Sequence, residues 1–249
     1  MAGGTGSRLA PLTNIINKHF LPVYNKPMIF YPLSTLVYAG IKEILIVCNP
    51  GDDLLYEKIL KVVCNKHKLK IHYRIQNKIG AGIAEGLLIS KDFIEKTDKV
   101  AFILGDNFFY GTFFSKTLNK YLINKERKSF IFLSEVSNPK EYGVPCFNKQ
   151  KLLKIIEKPT KPQTNIAVTG LYIYDKSVTK ILNLIRPSQR SELEITSVNN
   201  LLLEANNLDY IRIGRGTAWF DLGNYENILD CAELIKLLEK RKGLKVCNL

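Results

Sequence analysis

Short apolar runs alternate with segments of helical spacing along the first half of the chain, and this alternation strongly limits how it can fold. The runs have the length and β-branched content of buried strands, and the intervening segments carry apolar residues at helical intervals. Strands joined by helices usually pair in parallel, so the pattern predicts an α/β fold with a mostly parallel sheet. The predicted elements are, in order, helix 27–40, strand 43–48, helix 52–66, strand 70–76, helix 81–93 and strand 100–104.

The alternation continues through the second half of the chain. Ser191 and Glu194 have the spacing of a capping box, which predicts the start of a helix that ends at Ala205. No repeat, low-complexity tract or linker interrupts the pattern, so we expect a single domain covering 1–249. The other predicted elements are helix 115–124, strands 130–135, 151–157, 167–174 and 210–213, and a closing amphipathic helix 226–242.

A glycine-rich stretch opens the chain, with glycine at three of the four positions 3–6, and two cations, Arg8 and Lys18, follow it. Free backbone N–H groups beside fixed cations are what a polyphosphate needs. The dinucleotide fingerprint is excluded because Leu9 stands where its third glycine should be, and the Lys and Ser/Thr of a P-loop are also missing. On these residues alone, an ordinary glycine-rich surface turn fits equally well.

Two acids follow apolar segments, and the first of them stands where a strand is expected to end. Asp106 comes directly after the run 100–104, and Asp221 follows the apolar residues 218–220. One or two carboxylates, completed by substrate phosphates, is the usual way in which proteins hold Mg²⁺. A turn-forming aspartate remains the alternative interpretation of either acid.

The acid–base pair Glu157–Lys158 stands at the end of another predicted strand, and Arg190 precedes the helix with the capping-box pattern. A carboxylate could accept hydrogen bonds from sugar hydroxyls, and the two cations could meet a phosphate. Taken alone, these residues fit a solvated charged turn as well. The three histidines lack metal-ligand spacing, and no arrangement points to a covalent nucleophile.

Composition narrows the choice of partners. The formal net charge is +13, but the lysines are spread along the chain without a dense basic block, so we expect no nucleic acid. A small anionic partner fits this charge. No stretch is apolar enough to predict a membrane span. Five dispersed cysteines without a C-x-x-C pair favour a reducing cytoplasm.

Taken together, the motifs resemble the bacterial glucose-1-phosphate thymidylyltransferases, which are sugar-nucleotide pyrophosphorylases. Each piece is short, but the set covers nearly the whole chain in the family's order. The motifs are GGTGSRL (3–9), PLT (11–13), LPV (21–23), KPM (26–28), YPLS (31–34), GIA (82–84), LGDN (104–107), YGV (142–144), EKP (157–159), AVTGLY (167–172), ELEIT (192–196) and GRGTAW (214–219).

The resemblance implies a Rossmann-like, mostly parallel mixed sheet flanked by helices, of the nucleotidyltransferase and glycosyltransferase-A type. It implies a transfer of deoxythymidylate from dTTP to α-D-glucose 1-phosphate, with Mg²⁺ as cofactor and pyrophosphate as the second product. This reaction is the first step of dTDP-rhamnose-type deoxysugar synthesis. Relatives are commonly tetramers, so a homo-oligomer is expected.

The resemblance also implies roles for individual residues. The metal would be held by Asp106 and Asp221, and the catalytic cations would be Arg8, Lys18 and Lys158. The nucleotide would contact Gly3, Gly4, Gly6, Ser7, Arg8, Lys18, His19, Gln76 and Gly82. The sugar phosphate would contact Gly143, Glu157, Lys158, Val168 and Arg190.

Several positions depart from the family pattern and leave alternatives open. His19 stands where a glutamine or glutamate is common beside the base, and Pro145–Cys146 interrupts a usual Val-Glu. A UTP-using enzyme, another sugar-1-phosphate nucleotidyltransferase, or a non-catalytic nucleotide-sugar-binding homologue would also fit the motifs. The family carries an apolar strand before its glycine loop and further helices at its C-terminus, so we expect the printed chain to be truncated, with its first strand missing.

Overall fold

The computed structural model describes residues 1–77, 80–188 and 190–249 of this α/β protein. Its helices are α1 (Phe30–Tyr38), α2 (Asp52–His67), α3 (Ile83–Leu88), α4 (Lys91–Ile94), α5 (Phe114–Ile123), α6 (Val178–Ile181), α7 (Ile195–Glu204) and α8 (Tyr225–Lys242). Its strands are β1 (Pro22–Val23), β2 (Lys26–Pro27), β3 (Glu43–Cys48), β4 (Lys70–Ile75), β5 (Lys99–Ile103), β6 (Asn107–Gly111), β7 (Ser129–Glu135), β8 (Gly143–Asn148), β9 (Lys151–Glu157), β10 (Ile166–Asp175), β11 (Leu208–Arg212) and β12 (Thr217–Asp221).

Most predicted elements are confirmed, and two details of the prediction are wrong. The expected helix 81–93 forms two shorter helices, α3 and α4, because the Ser90 hydroxyl bonds back to the Gly86 carbonyl at 2.6 Å where α3 ends. The capping box is not formed. Helix α7 begins at Ile195 with Glu194 at its N-cap, and the Glu194 carboxylate instead accepts a hydrogen bond from Ser188 at 3.0 Å.

Contacts divide the chain into two compact units. Unit 1 comprises Met1–Gly80, Ile103–Asn119 and Gly216–Leu249, and unit 2 comprises Ala81–Phe102 and Lys120–Arg215. The single domain expected from the sequence stays a prediction. None of the helices in the described part of the chain has the length and apolar content that a membrane span needs.

In unit 1, β3 and β4 pair in parallel, in register from Glu43 opposite Lys70 to Cys48 opposite Ile75. Ala2 forms a parallel bridge with Cys48, and its backbone N–H donates to Val47 O at 2.7 Å. Met1 connects on its other side to Ile103 and Gly105 through backbone hydrogen bonds of 2.8 and 2.7 Å. Two residues before the glycine loop therefore lie between β3 and the end of β5, in the place where the resemblance puts the first strand.

The core of unit 1 joins α1, the β6–β12 ribbon and α8. Tyr31 of α1 donates to Val23 O at 2.5 Å and meets Phe108 of β6 edge-on, with ring centroids 5.5 Å apart. Strands β6 and β12 pair in antiparallel orientation, which places Asp221 opposite Asn107. The ribbon therefore places Asp221 beside Asn107, the residue that follows Asp106 in the sequence. The buried side chains of this cluster are Val23, Met28, Tyr31, Phe108, Leu222, Cys231, Ile235 and Cys247.

Unit 2 contains a four-stranded sheet in the order β11-β7-β10-β5, where β7 pairs in parallel with β11 and antiparallel with β10. Strands β8 and β9 form a separate antiparallel hairpin. Helix α7 holds this hairpin because the Asn200 side chain bonds both the N–H and the C=O of Ile155, at 2.9 and 2.8 Å. The hairpin and α7 are therefore fixed to each other inside this unit.

The segment after α8 folds back onto unit 1 around the carboxylate of Glu239. One oxygen accepts from the Val246 N–H at 3.0 Å, and the other accepts from Lys245 at 2.9 Å and Asn25 at 3.1 Å. Glu239 is buried, and Cys247, in the segment after α8, is part of the core. One carboxylate thus organises both the end of α8 and the chain that follows it.

We predict that Glu239→Ala lowers the free energy of unfolding by about 2 kcal/mol, since it leaves the partly buried Val246 N–H, the Asn25 amide and the Lys245 ammonium without their acceptor. Thermal melting measures the effect. Glu233→Ala, on the exposed face of the same helix, is the matched control and should change stability by less than about 0.5 kcal/mol. Equal melting temperatures for the two variants would contradict this role of Glu239.

Candidate functional site

The glycine loop is held open by side chains around it. Gly4 and Gly6 have φ values of 117° and 61°, a region that suits glycine. The Asn49 amide bonds both backbone groups of Gly4, accepting from Gly4 N at 3.0 Å and donating to Gly4 O at 3.1 Å. A Cβ on Gly3 would overlap the Gln76 side chain, which is buried against the loop. The structure thus brings together two predicted nucleotide contacts, Gly3 and Gln76.

In the second part of the loop, the Leu9 side chain is buried in the protein and the Arg8 side chain is exposed to solvent. Leu9 is fully buried, and the Tyr225 hydroxyl of α8 donates to Leu9 O at 2.7 Å. The Arg8 side chain is 54% exposed, and its guanidinium lies 3.8 Å from the Asp221 carboxylate. Gly223 makes room for this approach, since a Cβ there would overlap the guanidinium. Gly6 and Ser7 lie in this part of the loop, and the Gly6 carbonyl accepts from Thr13 at 2.9 Å.

His19 is buried against Asn17 and Gly105. Its backbone N–H and its ring Nδ1 both lie against Asn17 Oδ1, at 3.1 and 2.7 Å, and its ring packs against Gly105. His19 is 1% exposed. Burial, reinforced by the charge of Lys18, lowers the pKa of His19 to about 3, so the imidazole is neutral at physiological pH. Its contact with the nucleotide base stays a prediction.

Lys18 and Asp106 form an ion pair in which both side chains are largely buried, at 16% and 11% exposure. Asp106 also accepts from the Asn107 amide at 3.1 Å, and its carbonyl accepts from Leu222 N at 2.8 Å. Burial alone would raise the pKa of Asp106, but the charge of Lys18 and the side-chain hydrogen bonds from Lys18 and Asn107 hold that pKa below its ordinary value. Asp106 is therefore a carboxylate at neutral pH.

Asp221 has the opposite electrostatic environment. Burial, followed by the negative charge of Asp106, raises the pKa of Asp221 from 3.8 to about 6, although Lys18 and Arg8 oppose the shift. Two nearby carboxylates that disfavour each other's charge are stabilised together by a divalent cation. In the described ranges, no group of three or more His, Cys, Asp or Glu residues is arranged as a metal site. A pair of carboxylates completed by water and phosphate oxygens suits Mg²⁺, so the donor set fits this ion.

A second cluster, in unit 2, surrounds Glu157 at the end of β9. Glu157 lies opposite Gly143 of the hairpin and accepts from the Thr196 hydroxyl of α7 at 2.5 Å. Arg190 lies 3.8 Å from Glu157, 3.1 Å from Glu192 and 3.5 Å from Glu194. Burial and the charge of Glu157 raise the pKa of Glu194. The carboxyl groups that surround the Arg190 guanidinium therefore outnumber it three to one.

The other predicted residues of unit 2 are Lys158, Val168 and Gly82, and two of them, Lys158 and Gly82, adjoin segments of this cluster. Lys158 follows Glu157 with a φ of 43°, and its N–H donates to Tyr142 O at 3.0 Å. Val168 is buried on β10, where the register with β7 shifts. Gly82 has a φ of 103°, and a Cβ there would overlap the backbone of Leu193.

The predicted site residues thus fall into two groups. Unit 1 holds Gly3, Gly4, Gly6, Ser7, Arg8, Lys18, His19, Gln76, Asp106 and Asp221, and unit 2 holds Gly82, Gly143, Glu157, Lys158, Val168 and Arg190.

Sequence reasoning missed the side chains that orient these groups. Asn17, Asn49 and Asn107 hold the loop and the first acid, and Thr196 holds Glu157. Asparagine is common in ordinary turns and loops, so its presence at these positions carried no separate signal for these roles. Glu192 and Glu194 lie in the ELEIT motif (192–196), but the sequence predicted only a helix-capping role for Glu194 and no contact of either acid with Arg190.

Comparison of the chain with known proteins shows which family it belongs to. A family model described as nucleotidyl transferase matches residues 1–236. The chain belongs to the nucleotidyl transferase family. It is 40% identical over 248 residues to a glucose-1-phosphate thymidylyltransferase of Xanthomonas campestris, covering 99% of this chain and 83% of the relative. It is 38% identical over 250 residues to the protein of that name from Neisseria meningitidis, covering 100% and 85%.

Solved structures of similar proteins share the fold. A Bacillus anthracis protein crystallised with sucrose and assigned as a glucose-1-phosphate thymidylyltransferase is 33% identical, with a TM-score of 0.84 over 94% of this chain and 92% of that one. A UDP-glucose pyrophosphorylase complexed with UDP-glucose has a TM-score of 0.80 at 23% identity, which supports the fold alone. The expected Rossmann-like α/β fold and the family resemblance are confirmed.

We predict that Asp221→Asn stabilises the metal-free protein at pH 8. A carboxyl whose pKa is raised from 3.8 to about 6 destabilises the folded state above pH 6, and this cost disappears as the pH falls to 4. The variant should therefore gain up to about 3 kcal/mol at pH 8 and almost nothing at pH 4.

Melting curves at the two pH values, recorded in a chelator, measure the difference. Asp230→Asn, an exposed acid of α8, is the matched control and should be neutral at both. Adding Mg²⁺ at pH 8 should stabilise the wild type and not Asp221→Asn. A variant that melts below the wild type at pH 8 would contradict the assigned environment of Asp221.

Proposed function

We propose that this protein transfers a deoxythymidylyl group from dTTP to α-D-glucose 1-phosphate, which gives dTDP-glucose and pyrophosphate. The observation that carries the proposal is the cluster beneath the glycine loop, where Arg8, Lys18 and two carboxylates converge. The names of relatives at 38–40% identity over nearly the whole chain support the same reaction.

The loop would receive the triphosphate of dTTP. Its glycines leave backbone N–H groups accessible, and Arg8 extends from it into solvent at 54% exposure. Arg8 and Lys18 would neutralise phosphate oxygens, with Lys18 giving up its ion pair with Asp106 as the nucleotide arrives. Gln76, which packs against the loop, would contact the base, and His19 would support it.

Asp106 and Asp221 would hold Mg²⁺. When bound, this ion supplies charge neutralisation and a template for the phosphate oxygens. Lys18 keeps Asp106 ionised. Asp221, with a pKa of about 6, is mostly ionised at pH 7.5, and its charge is destabilised by burial and by Asp106. A bound cation would remove this destabilisation. The described donor set is limited to two carboxylates, which leaves coordination positions for phosphate.

The cluster of unit 2 would receive glucose 1-phosphate. Glu157, oriented by Thr196, would accept hydrogen bonds from sugar hydroxyls, beside Gly143 and Val168. Lys158 and Arg190 would meet the phosphate. Arg190 is already surrounded by three carboxylates, so a phosphate must draw it away from at least one of them. That exchange would release Glu157 for the sugar.

The chemistry is an in-line displacement. An oxygen of glucose 1-phosphate attacks the α-phosphorus of dTTP, the bond from that phosphorus to the bridging oxygen breaks, and pyrophosphate leaves with the electron pair. No proton has to move, because the attacking oxygen is already anionic. Positioning of the two substrates and neutralisation of their phosphate charges would therefore account for most of the reduction in the activation barrier.

Further parts of this proposal rest on the family alone. The product would enter dTDP-rhamnose-type deoxysugar synthesis in the cytoplasm, and the protein would work as a homo-oligomer, a tetramer in relatives. The two substrates are its expected partners, with neither nucleic acid nor membrane required.

We predict that purified protein with Mg²⁺ and glucose 1-phosphate releases pyrophosphate from dTTP with a kcat/KM at least about 10-fold above that for UTP, roughly a 1.4 kcal/mol preference. Asp106→Asn is the inactive control, because it changes one charge in the cluster and should lose about 100-fold or more in kcat. A preference for UTP would overturn the nucleotide assignment. Binding of dTTP without pyrophosphate release would identify a non-catalytic homologue.

A further inference from the structure

The β6–β12 ribbon carries three polar side chains on one face. Residues two apart in a strand point the same way, so Trp219 and Asp221 share a face of β12. Asn107 of β6 lies directly opposite Asp221, and Trp219 lies opposite Phe109. Asn107 is therefore flanked by the second acid and by the one tryptophan of the sequence.

The hydrogen bonds along this face have a fixed direction. The Trp219 indole N–H donates to Asn107 Oδ1 at 2.6 Å. An indole nitrogen is a donor only, so the amide oxygen of Asn107 must face the ring. Its NH₂ group must then face the other way, and it donates to Asp106 Oδ1 at 3.1 Å.

This direction decides how Asp106 is presented. Asn107 holds one carboxylate oxygen and Lys18 holds the other, so the carboxylate plane is fixed from both sides. If the amide of Asn107 were reversed, its oxygen would face Asp106 Oδ1, and two acceptors would repel each other. The donor-only indole disfavours this reversed state.

We propose that Trp219 is a positioning residue for the metal ligand Asp106 and that it acts through Asn107. The proposal rests on the proposed function, since it assumes that Asp106 and Asp221 hold the ion. Strand β12 then has two tasks two residues apart: Asp221 supplies one carboxylate, and Trp219 orients the other from across the ribbon. Partners of this kind, one hydrogen bond removed from a ligand, typically change metal affinity 10- to 100-fold.

Direct measurement of metal affinity tests the proposal without using activity. Mn²⁺ is the probe, because it binds oxygen ligands as Mg²⁺ does and the free ion is counted by electron paramagnetic resonance. Wild type, Trp219→Phe, Asn107→Ala and the double variant are titrated at pH 8 without nucleotide. Tyr110→Phe removes a hydroxyl from the same ribbon and is the matched control, expected to bind as the wild type does.

We expect Trp219→Phe and Asn107→Ala each to weaken Mn²⁺ binding about 10-fold or more, and the double variant to be no weaker than Asn107→Ala alone. That lack of additivity distinguishes action through Asn107 from a packing role of the ring. Unchanged affinity of Trp219→Phe, or additive losses in the double variant, overturns the proposal.

The same titrations distinguish failure of this inference from failure of the proposed function. A wild type that binds no Mn²⁺ at the site, with a titration identical to that of Asp106→Asn, would refute the metal role itself. If Trp219→Phe melts below the assay temperature, Asn107→Ala carries the test, because it retains the indole. Unchanged affinity in Asn107→Ala would then overturn the proposal.

Discussion

The ion pair between Lys18 and Asp106 is the interaction on which the rest of unit 1 depends. Both side chains are largely buried, so removing either partner would leave an unpaired charge at a cost of about 3–5 kcal/mol. The pair connects the segment after the glycine loop to the end of β5, 88 residues away in sequence. It also determines the charge of both acids, since an ionised Asp106 helps to raise the pKa of Asp221.

Neighbouring side chains keep this pair and its loop in place. Asn17 bonds His19 on one side and donates to Asp52 at 2.5 Å and to Ala2 O at 3.1 Å on the other, which fixes the chain on both sides of Lys18. Asn49 clamps Gly4 from the end of β3, and Tyr225 holds Leu9 from α8. Neutral amides and hydroxyls therefore build the scaffold, and the charged groups are free to exchange their partners for phosphate and metal.

Much of the fold could be predicted because its signals are local. Strand β3 was predicted at its observed bounds from one apolar run, and Asp106 and Asp221 stood out because each follows an apolar segment. The glycine loop stood out by its three glycines and the two cations that follow it. Strands β6 and β8 were not predicted, because Asn107 follows a turn motif and Pro145 interrupts β8, so neither segment looks like a strand. The contacts of Thr196 with Glu157 and of Trp219 with Asn107 join residues 39 and 112 positions apart, and no local pattern encodes such pairs.

The central claim is that Lys18 occupies the place of a cation at Asp106 until nucleotide and metal arrive, and Lys18→Gln tests it most directly. Without the competing ammonium, Mn²⁺ should bind the nucleotide-free protein more tightly than it binds the wild type at pH 8, while dTTP should bind more weakly. Calorimetry with dTTP and electron paramagnetic resonance with Mn²⁺ measure the two affinities separately. Weaker Mn²⁺ binding together with unchanged dTTP binding would contradict the account.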